Sequence, residues 1–545
     1  MDLTRKIQQQ FQALNPISFS ICLFFFFILL LKIFKRKKPN FPPSPPRLPI
    51  IGNLHQLGAL PHQSMAALSN KYGPLMLLKL GQTQALVVSS PKIAKEVMKT
   101  HDIIFSNRLQ TTASKKLLYQ CQDCWKEGYA LLMSTGLMPR GLHNSSYLHF
   151  EYFESYLNKD IAFVHCSEYW RQARKVCALE LFSAKRVDSF QYVRDEEVGG
   201  LMDRIRKASV GGEAVNLSQL FLQTSNNIVS RCVLGGKFED ENGNSQFGDT
   251  ARKLMVLIVE FCVADLFPSL WWIDIIRGFN KELKDCFETL DTFFSKVVEE
   301  HKEKIRAGVL TDEFKKDFVD IMLQLQQDDM VDYHFSSDQL KAIILDMFVG
   351  ASDTTATVLE WTITELMRNP AAMKKAQEEV RTIIGKKPKI EVEDIQKMEY
   401  IHCVVKESLR LHPPVPLLVP RETTADVEID GYHIPSKTGV FVNVWKIQRD
   451  PEYWKNPTEF IPERFMDNCS ADYKGQDYEF IPFGSGRRKC PGMSFGVSSF
   501  EQALANLLHW FDWKLPSGYE LSVEEANGLT VRKKTPLVLN PMPCF

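Results

Sequence analysis

Several things are missing from this 545-residue chain, and each absence closes a class of function. There is no excess charge of either sign: Lys and Arg total 66, as do Asp and Glu, so no net field draws the chain onto nucleic acid. There is no cysteine framework either. The twelve cysteines are scattered without regular spacing, as expected of a reducing, cytosol-facing compartment rather than a disulfide scaffold. No solenoid-length repeat occurs. A phosphate-cradling loop is absent as well: Gly484 and Gly486 have the first spacing of GxGxxG, but position 489 is Lys, and no GxxxxGK[ST] occurs. Any flavin or nicotinamide the chain depends on must therefore sit on a partner. What is present is a hydrophobic content of 44%, with 36 phenylalanines, enough to bury a large core unaided.

One cysteine stands apart. In Phe483-Gly484-Ser485-Gly486-Arg487-Arg488-Lys489-Cys490-Pro491-Gly492, glycines and cations surround a single thiol ahead of an apolar helical run. Glycines allow close backbone approach to a flat ligand, Arg488 is suited to pairing a carboxylate, and a helix opening after Pro491 aims its positive end at the sulfur. A thiolate socket for haem iron fits this pattern, and thiolate is the axial ligand that favours O–O cleavage. A buried structural cysteine beside a basic turn is the plainer alternative, but the demanding spacing Phe-x-x-Gly-x-Arg-x-Cys-x-Gly argues against it.

This segment resembles the cysteine-ligand loop of cytochrome P450 haem-thiolate monooxygenases, and three other segments extend the resemblance. Lys406-Glu407-Ser408-Leu409-Arg410 places Glu407 and Arg410 on one helix face, and Pro462-Glu463-Arg464-Phe465 offers a second arginine. Alone, such an i,i+3 pair is usually a solvated surface pair. The resemblance implies instead a buried cluster of Glu407, Arg410 and Arg464 that braces the cysteine loop. Ser337 to Arg368 reads as one long helix, capped by Ser-Ser-Asp and closed before Pro370. Its centre, Asp346-Met347-Phe348-Val349-Gly350-Ala351-Ser352-Asp353-Thr354-Thr355, sets small and polar residues into an apolar stripe. By resemblance to the family's oxygen-activation motif, Asp353 and Thr354 are the acid and alcohol of a proton relay. Gly350-Ala351 departs from the usual alanine-glycine order, so a methyl group is expected to narrow the groove. The plain alternative is a kinked helix whose Thr bonds its own backbone. Finally, Trp170-Arg171-Gln172-Ala173-Arg174 is a WxxxR, and the resemblance carries haem-propionate contacts to Trp170 and Arg174, with Arg421 as a third partner.

The amino terminus carries a near-continuous apolar run from Ile17 to Leu31, extendable to Ala13–Phe34. That approaches the ~20 residues needed to cross a bilayer. Lys35-Arg36-Lys37-Lys38 follows without small residues for cleavage, which predicts an uncleaved anchor with the bulk of the chain in the cytosol. Asn144-Ser145-Ser146 is then a sequon out of reach of glycosylation. Residues 39–52, with Pro42-Pro43-Ser44-Pro45-Pro46, form a stiff spacer. It resembles the proline-rich hinge of microsomal members, in particular the plant A-type group. Beyond it, Val427–Ile434 alternates around Asp430-Gly431 and predicts a hairpin, and Lys533–Leu539 predicts a strand.

Residues 124–160 do not fit the resemblance. Excising these 37 residues joins Gln122-Asp123 to Ile161-Ala162-Phe163 in a family-like way, which suggests a retained intron or a gene-model extension. The segment also completes Cys121-x-x-Cys124 with His143 and His149, a superficial zinc pattern whose spacing is too long for a finger. Gly492-Met493-Ser494-Phe495-Gly496 is formally a nucleophile elbow, yet the one later histidine, His509, precedes Asp512 and shares a helix with Ser494, so a serine hydrolase is the weaker reading. A non-catalytic membrane protein disabled by the insertion is another.

The resemblance, from roughly Pro42 to Leu539, implies a mainly α fold with small β-sheets, a cytochrome P450 fold behind an N-terminal transmembrane helix. It implies haem b (iron protoporphyrin IX) bound through Cys490, with Phe483, Gly486, Arg488 and Gly492 shaping the loop. Electrons are expected from NADPH-cytochrome P450 reductase, with cytochrome b5 as a further donor, docking on the cationic face of Arg487, Arg488 and Lys489. O2 and a hydrophobic small molecule, such as a terpenoid, alkaloid or phenolic, are the substrates, no nucleic acid is a partner, and the endoplasmic reticulum membrane is the expected location. Leu417, Leu418, Val419, Leu529, Thr530 and Val531 match positions that line the family's substrate pocket.

Overall fold

The computed structural model describes residue 24 and residues 39–119, 159–239, 248–308, 315–327, 335–466 and 471–544. The expected anchor (Phe24 apart), residues 124–158 of the extra segment, its cysteine–histidine pattern and the sequon lie outside them.

Seven helices frame the site: α1 (Glu168–Val176), α2 (Leu217–Leu234), α3 (Gly248–Leu257), α4 (Phe279–Arg306), α5 (Ser337–Arg368), α6 (Glu399–Leu411) and α7 (Met493–Trp510). α5 has the bounds its capping chemistry dictates. Ser336 and Gln339 exchange side-chain bonds with each other's backbone amides in a capping box, and Pro370 opens the next helix after Asn369. At about 1.5 Å per residue, its 32 residues make the axis of the molecule. α5 is apolar and long enough to cross a membrane, but here α2, α3, α4, α6 and α7 pack around it, so its hydrophobicity serves the core. The ExxR helix begins at Glu399, because Val392–Ile395 forms a separate turn closed by its own Glu391–Asp394 capping box.

The strands are β1 (Leu75–Leu80), β2 (Thr83–Val88), β3 (Asn107–Arg108), β4 (Val215–Asn216), β5 (Arg421–Glu422), β6 (Val427–Ile429), β7 (Tyr432–Ile434), β8 (Gly439–Val442), β9 (Phe511–Lys514), β10 (Glu525–Ala526), β11 (Arg532–Lys533) and β12 (Val538–Pro543). The main sheet runs β1-β2-β8-β5-β3 and is antiparallel except for β2 with β8. β6 and β7 make the expected hairpin: Asp430 and Gly431 both have positive φ (50° and 79°), the conformation that suits a two-residue loop. The single strand expected over Lys533–Leu539 divides instead. β11 pairs with β10, Pro536 falls in the gap where it cannot donate to a ladder, and β12 then pairs with β4 and β9.

The proline-rich segment is extended but not free. Leu77 N–H donates to Pro43 O, and the buried Asn53 amide reaches Pro45 O and Pro46 O while its oxygen accepts from Lys79 N–H. Its stiffness is thus anchored along β1.

Candidate active site

A deep cavity of about 310 Å³ lies between α5, α3, the 161–163 segment, the 414–421 segment and the loop that ends at Cys490. Its lining is largely apolar, with Leu254, Ile258, Val349, Val415, Phe483 and Phe495 among its walls. Cys490 lines it. The thiol is open to the cavity although it lies far beneath the protein surface.

The loop's shape follows from its hydrogen bonds. Cys490 N–H donates to Phe483 O at 2.9 Å, Gly484 N–H to Ile481 O at 2.9 Å, and Ser485 Oγ to Gly475 O at 2.6 Å. Gly486 has φ +70°, and a Cβ there would stand 2.3 Å from Met98 O, so this glycine is required by the neighbouring helix turn and not by the cavity. Gly484 and Gly492 do line the cavity. α7 starts at Met493 with Gly492 as its cap, as expected. Burial nevertheless dominates the thiol and pushes its pKa up, against the Gly492 N–H, Arg174 and Lys489, which pull it down. The helix terminus and cations alone do not make this sulfur an anion. A bound metal cation would.

Glu407, Arg410 and Arg464 form the buried cluster. Arg410 donates Nε to Glu407 Oε2 (2.7 Å) and Nη2 to Oε1 (2.8 Å), and Arg464 Nε donates to Oε1 (3.0 Å). The cluster reaches the cysteine loop by a traceable path. Arg410 Nη1 holds Gln448 O, and Gln448 Oε1 accepts from Ile481 N–H, two residues before Phe483.

Four arginines line the same cavity. Arg488 donates to Ser106 O, Ile161 O and Val164 O, and its guanidinium stacks 4.3 Å from the Trp170 ring. Arg421 donates to Phe105 O and Ser485 O and leaves Nε without a partner, while Arg174 donates to Lys489 O. Sequence reasoning missed the fourth: Arg108, which donates to Ala162 O and Val419 O and lines the cavity with the other three. Burial holds all four below the usual guanidinium range, Arg421 and Arg488 down to about 10, with mutual repulsion adding to the shift at Arg108 and Arg488. Trp170 itself does not line the cavity; its Nε1 donates to Ile161 O. Its ring is a platform under Arg488.

On α5, Gly350, Ala351, Thr354 and Thr355 face the cavity. The helix is unbroken there, because Thr354 Oγ1 donates to Gly350 O (2.8 Å) and Ser352 Oγ to Phe348 O (2.7 Å), so the polar side chains bond back along the helix instead of opening it. Asp353 points elsewhere: Arg252 of α3 donates Nε to its Oδ1 at 3.2 Å, and Nη2 stands at the same distance as an ion pair. The structure thus separates the two expected relay residues, with Thr354 at the cavity and Asp353 behind it. Of the residues matched to the substrate pocket, Leu418, Val419 and Leu529 line the cavity. Leu417 packs against the sheet, Val531 O accepts from Trp361, and Thr530 is buried outside the lining. The cationic face expected from Arg487, Arg488 and Lys489 shrinks likewise, since Arg488 is buried and Arg487 pairs with Asp102 at 2.9 Å.

The hydrolase alternative fails on geometry. Ser494 lies within the first turn of α7, after a loop and not at a strand-to-helix elbow, and His509 sits at the other end of the same helix.

The chain matches the family model of cytochrome P450 over residues 42–143 and 142–540. It belongs to the cytochrome P450 family. It is 49% identical over 516 residues to a phenylacetaldehyde oxime monooxygenase of Prunus mume, spanning 93% of this chain and 90% of the relative. It is 43% identical to a strychnine-11-hydroxylase of Strychnos nux-vomica, covering 96% and 97%. A desmethylyatein synthase of Sinopodophyllum hexandrum is 42% identical, with 96% and 98% covered. A zebra fish cytochrome P450 solved with progesterone superposes with a TM-score of 0.70 at 24% identity, over 89% of this chain and all of that one, which confirms the fold. This P450 is a plant A-type member and a haem-thiolate monooxygenase.

The residues present fit haem b. The cavity lining offers a sulfur donor together with four guanidinium groups, those of Arg108, Arg421 and Arg488 buried, a charge excess suited to the two propionates.

Proposed function

We propose that this P450 oxygenates a hydrophobic plant specialised metabolite, such as a terpenoid, alkaloid or phenolic. The observation that carries this reading is the deep apolar cavity with Cys490 at one wall and Thr354 at the wall formed by α5. The haem, held by Cys490, supplies the oxygen-activating chemistry. Arg108, Arg174, Arg421 and Arg488 balance its carboxylates, with Trp170 seating Arg488. Phe483 and Gly492 line its socket, and Gly486 fixes the turn before it. Glu407, Arg410 and Arg464 hold the loop in register through Gln448. Thr354 presents a hydroxyl to the cavity and passes protons there, resupplied through Asp353, whose pairing with Arg252 has to loosen for the carboxylate to take part. Leu418, Val419 and Leu529 shape the apolar surface the substrate meets.

Electrons come from NADPH-cytochrome P450 reductase, with cytochrome b5 as a second donor, and the anchor in residues 1–38 holds the chain on the cytosolic side of the endoplasmic reticulum. An exposed apolar patch supports membrane contact: Trp271, Trp272, Ile275 and Ile276 are all more than 45% exposed. It follows a segment in which Leu266 O accepts from Gln82 N–H, while neighbouring Gly81 N–H donates to Ile51 O, beside the exposed Ile50.

The extra segment ends, in our reading, before Lys159. Asp160 is fully buried and accepts from Phe163 N–H at 2.6 Å, and Lys159 pairs with Asp338 of α5, so both are tied to the body of the fold beside the cavity-lining residues 161–163. Deleting residues 122–158 instead of 124–160 removes the same length and keeps both. Incubation of the reductase-coupled enzyme with phenylacetaldehyde oxime, strychnine and a panel of phenolics and terpenoids tests the proposal: oxygenated product dependent on NADPH and O2 supports it. Haem binding without oxygenation of any apolar compound, while the same chain acts on polar ones, contradicts it.

A further inference from the structure

Asp102 has no role assigned so far, although it stands between an arginine of the protein surface and an arginine of the cavity. The helix that opens at Pro91 ends in one wide turn, Glu96–Thr100, packed on residues 486–488, and Asp102 follows that turn. Its carboxylate lies against the loop that leads to Cys490: a Cβ on Gly486 would stand 2.9 Å from Oδ1. Oδ2 accepts from Arg487 N–H at 3.3 Å and pairs with the solvent-facing Arg487 Nε at 2.9 Å. Oδ1 is buried and has no hydrogen-bond partner among the described residues. It stands 3.8 Å from Nη1 of the buried Arg421, beyond hydrogen-bond reach.

Arg421 is loosely held on its own side. Its donations to Phe105 O and Ser485 O are long, at 3.3 and 3.2 Å, and its Nε has no partner. Burial lowers this guanidinium to about 10, and Asp102 is the foremost group opposing that shift. A buried acceptor without a partner costs free energy, and a closure of about 1 Å would join it to Arg421 in a charge-assisted hydrogen bond. Against that gain stands the ion pair already made with Arg487.

We propose that Asp102 is a positioning residue: Arg487 draws its carboxylate toward the surface and so reserves the charge of Arg421 for a haem carboxylate. The proposal rests on the haem-thiolate reading of the cavity, in which Arg421 balances that carboxylate. Without the Arg487 cation, the Asp102 carboxylate closes on Arg421 and competes with the haem's own. Arg487, three positions before Cys490, thereby sets the charge balance of a cavity that it does not line. The sign follows from electrostatics. A negative charge brought closer to the haem disfavours its reduced, more negative form and lowers the reduction potential; a negative charge removed raises it.

The test is an optically monitored redox titration of the haem-loaded chain, with no turnover involved. Asp102→Asn, which keeps the shape and loses the charge, is expected to shift the potential positive. Arg487→Gln is expected to shift it negative, and Arg487→Lys, which keeps the cation, to hold the wild-type value. The double variant Asp102→Asn with Arg487→Gln decides the matter: with no carboxylate to release, the shift caused by Arg487→Gln should largely vanish. A role confined to bracing the turn at Gly486 would lower haem occupancy without moving the potential, and a field from Arg487 acting alone would give the same shift in both backgrounds. Either result, or equal shifts in the Gln and Lys variants, would overturn the proposal. A carbon monoxide difference spectrum on each preparation keeps the two readings apart: a thiolate band with additive shifts removes only the role of Asp102, whereas no band in the wild type removes the site reading along with it.

Discussion

At the scale of single residues, the site is decided by what each polar atom already holds. Arg488 holds three backbone carbonyls, one from each of its nitrogens, which fixes the guanidinium in place at the cavity wall and leaves two of its five N–H donors for a carboxylate. Arg421 lines the cavity as well, held by Phe105 O and Ser485 O. Thr354 holds its own helix at Gly350 O and can still offer its hydroxyl to the cavity, because an oxygen that donates one bond retains acceptor capacity. Thr354→Ala is therefore expected to leave haem binding intact while diverting electrons into hydrogen peroxide, seen as a raised ratio of peroxide to product per NADPH consumed. Unchanged coupling would refute the relay. Glu407→Gln strands two guanidinium groups in the interior and should cost about 3–5 kcal/mol, read as a lowered unfolding midpoint in denaturant. A variant as stable as the wild type would show that the cluster is not a brace.

At the scale of elements, the sequence was most legible where local chemistry and global packing agree. Ser336, Gln339 and Pro370 bound α5 by capping and by proline's missing N–H, and Asp430-Gly431 makes the hairpin, because a two-residue loop needs positive φ. The Glu407–Arg410 pair was legible through its spacing. Its connection to the cysteine loop was not, since it passes through Gln448 and Ile481, which share no pattern with either motif. Arg108 and Asp346 were missed for a related reason. Each is one polar residue on a short strand or an apolar helix face, and only the folded chain shows that both line the cavity. Asp353 was legible as a motif residue, but its direction was not, because Arg252 comes from a helix more than ninety positions away. Gly486 offers a test at this scale: Gly486→Ala puts a Cβ against Met98 O in a strained left-handed conformation, and should lower haem occupancy by displacing the loop. Gly350→Ala, where no atom lies within 4 Å of the added methyl, should leave haem occupancy unchanged. Equal occupancy in both variants would contradict the loop argument.

At the scale of the whole molecule, one large core surrounds α5 and two smaller ones lie on the main sheet, and residues 161–163 form one wall of the cavity. That segment is where the extra residues join the body, so the insertion bears on the site directly. Its removal by deletion of residues 122–158 is expected to raise haem occupancy and thermal stability, while deletion of 124–160 should match it only if Asp123 takes the place of Asp160 beside Phe163. A full chain that binds haem as fully as both deletions would show that the segment is accommodated. The central claim is that the Cys490 sulfur is the ligand around which the rest of the cavity is arranged. The most direct measurement is the reduced, carbon monoxide-treated difference spectrum of membranes carrying the wild-type chain and Cys490→Ala, each with and without the extra segment. The account predicts the red-shifted Soret band characteristic of thiolate ligation in the wild type, at least after the segment is removed, and its complete loss in Cys490→Ala. The same band in the alanine variant, or none in any form of the wild type, would contradict it.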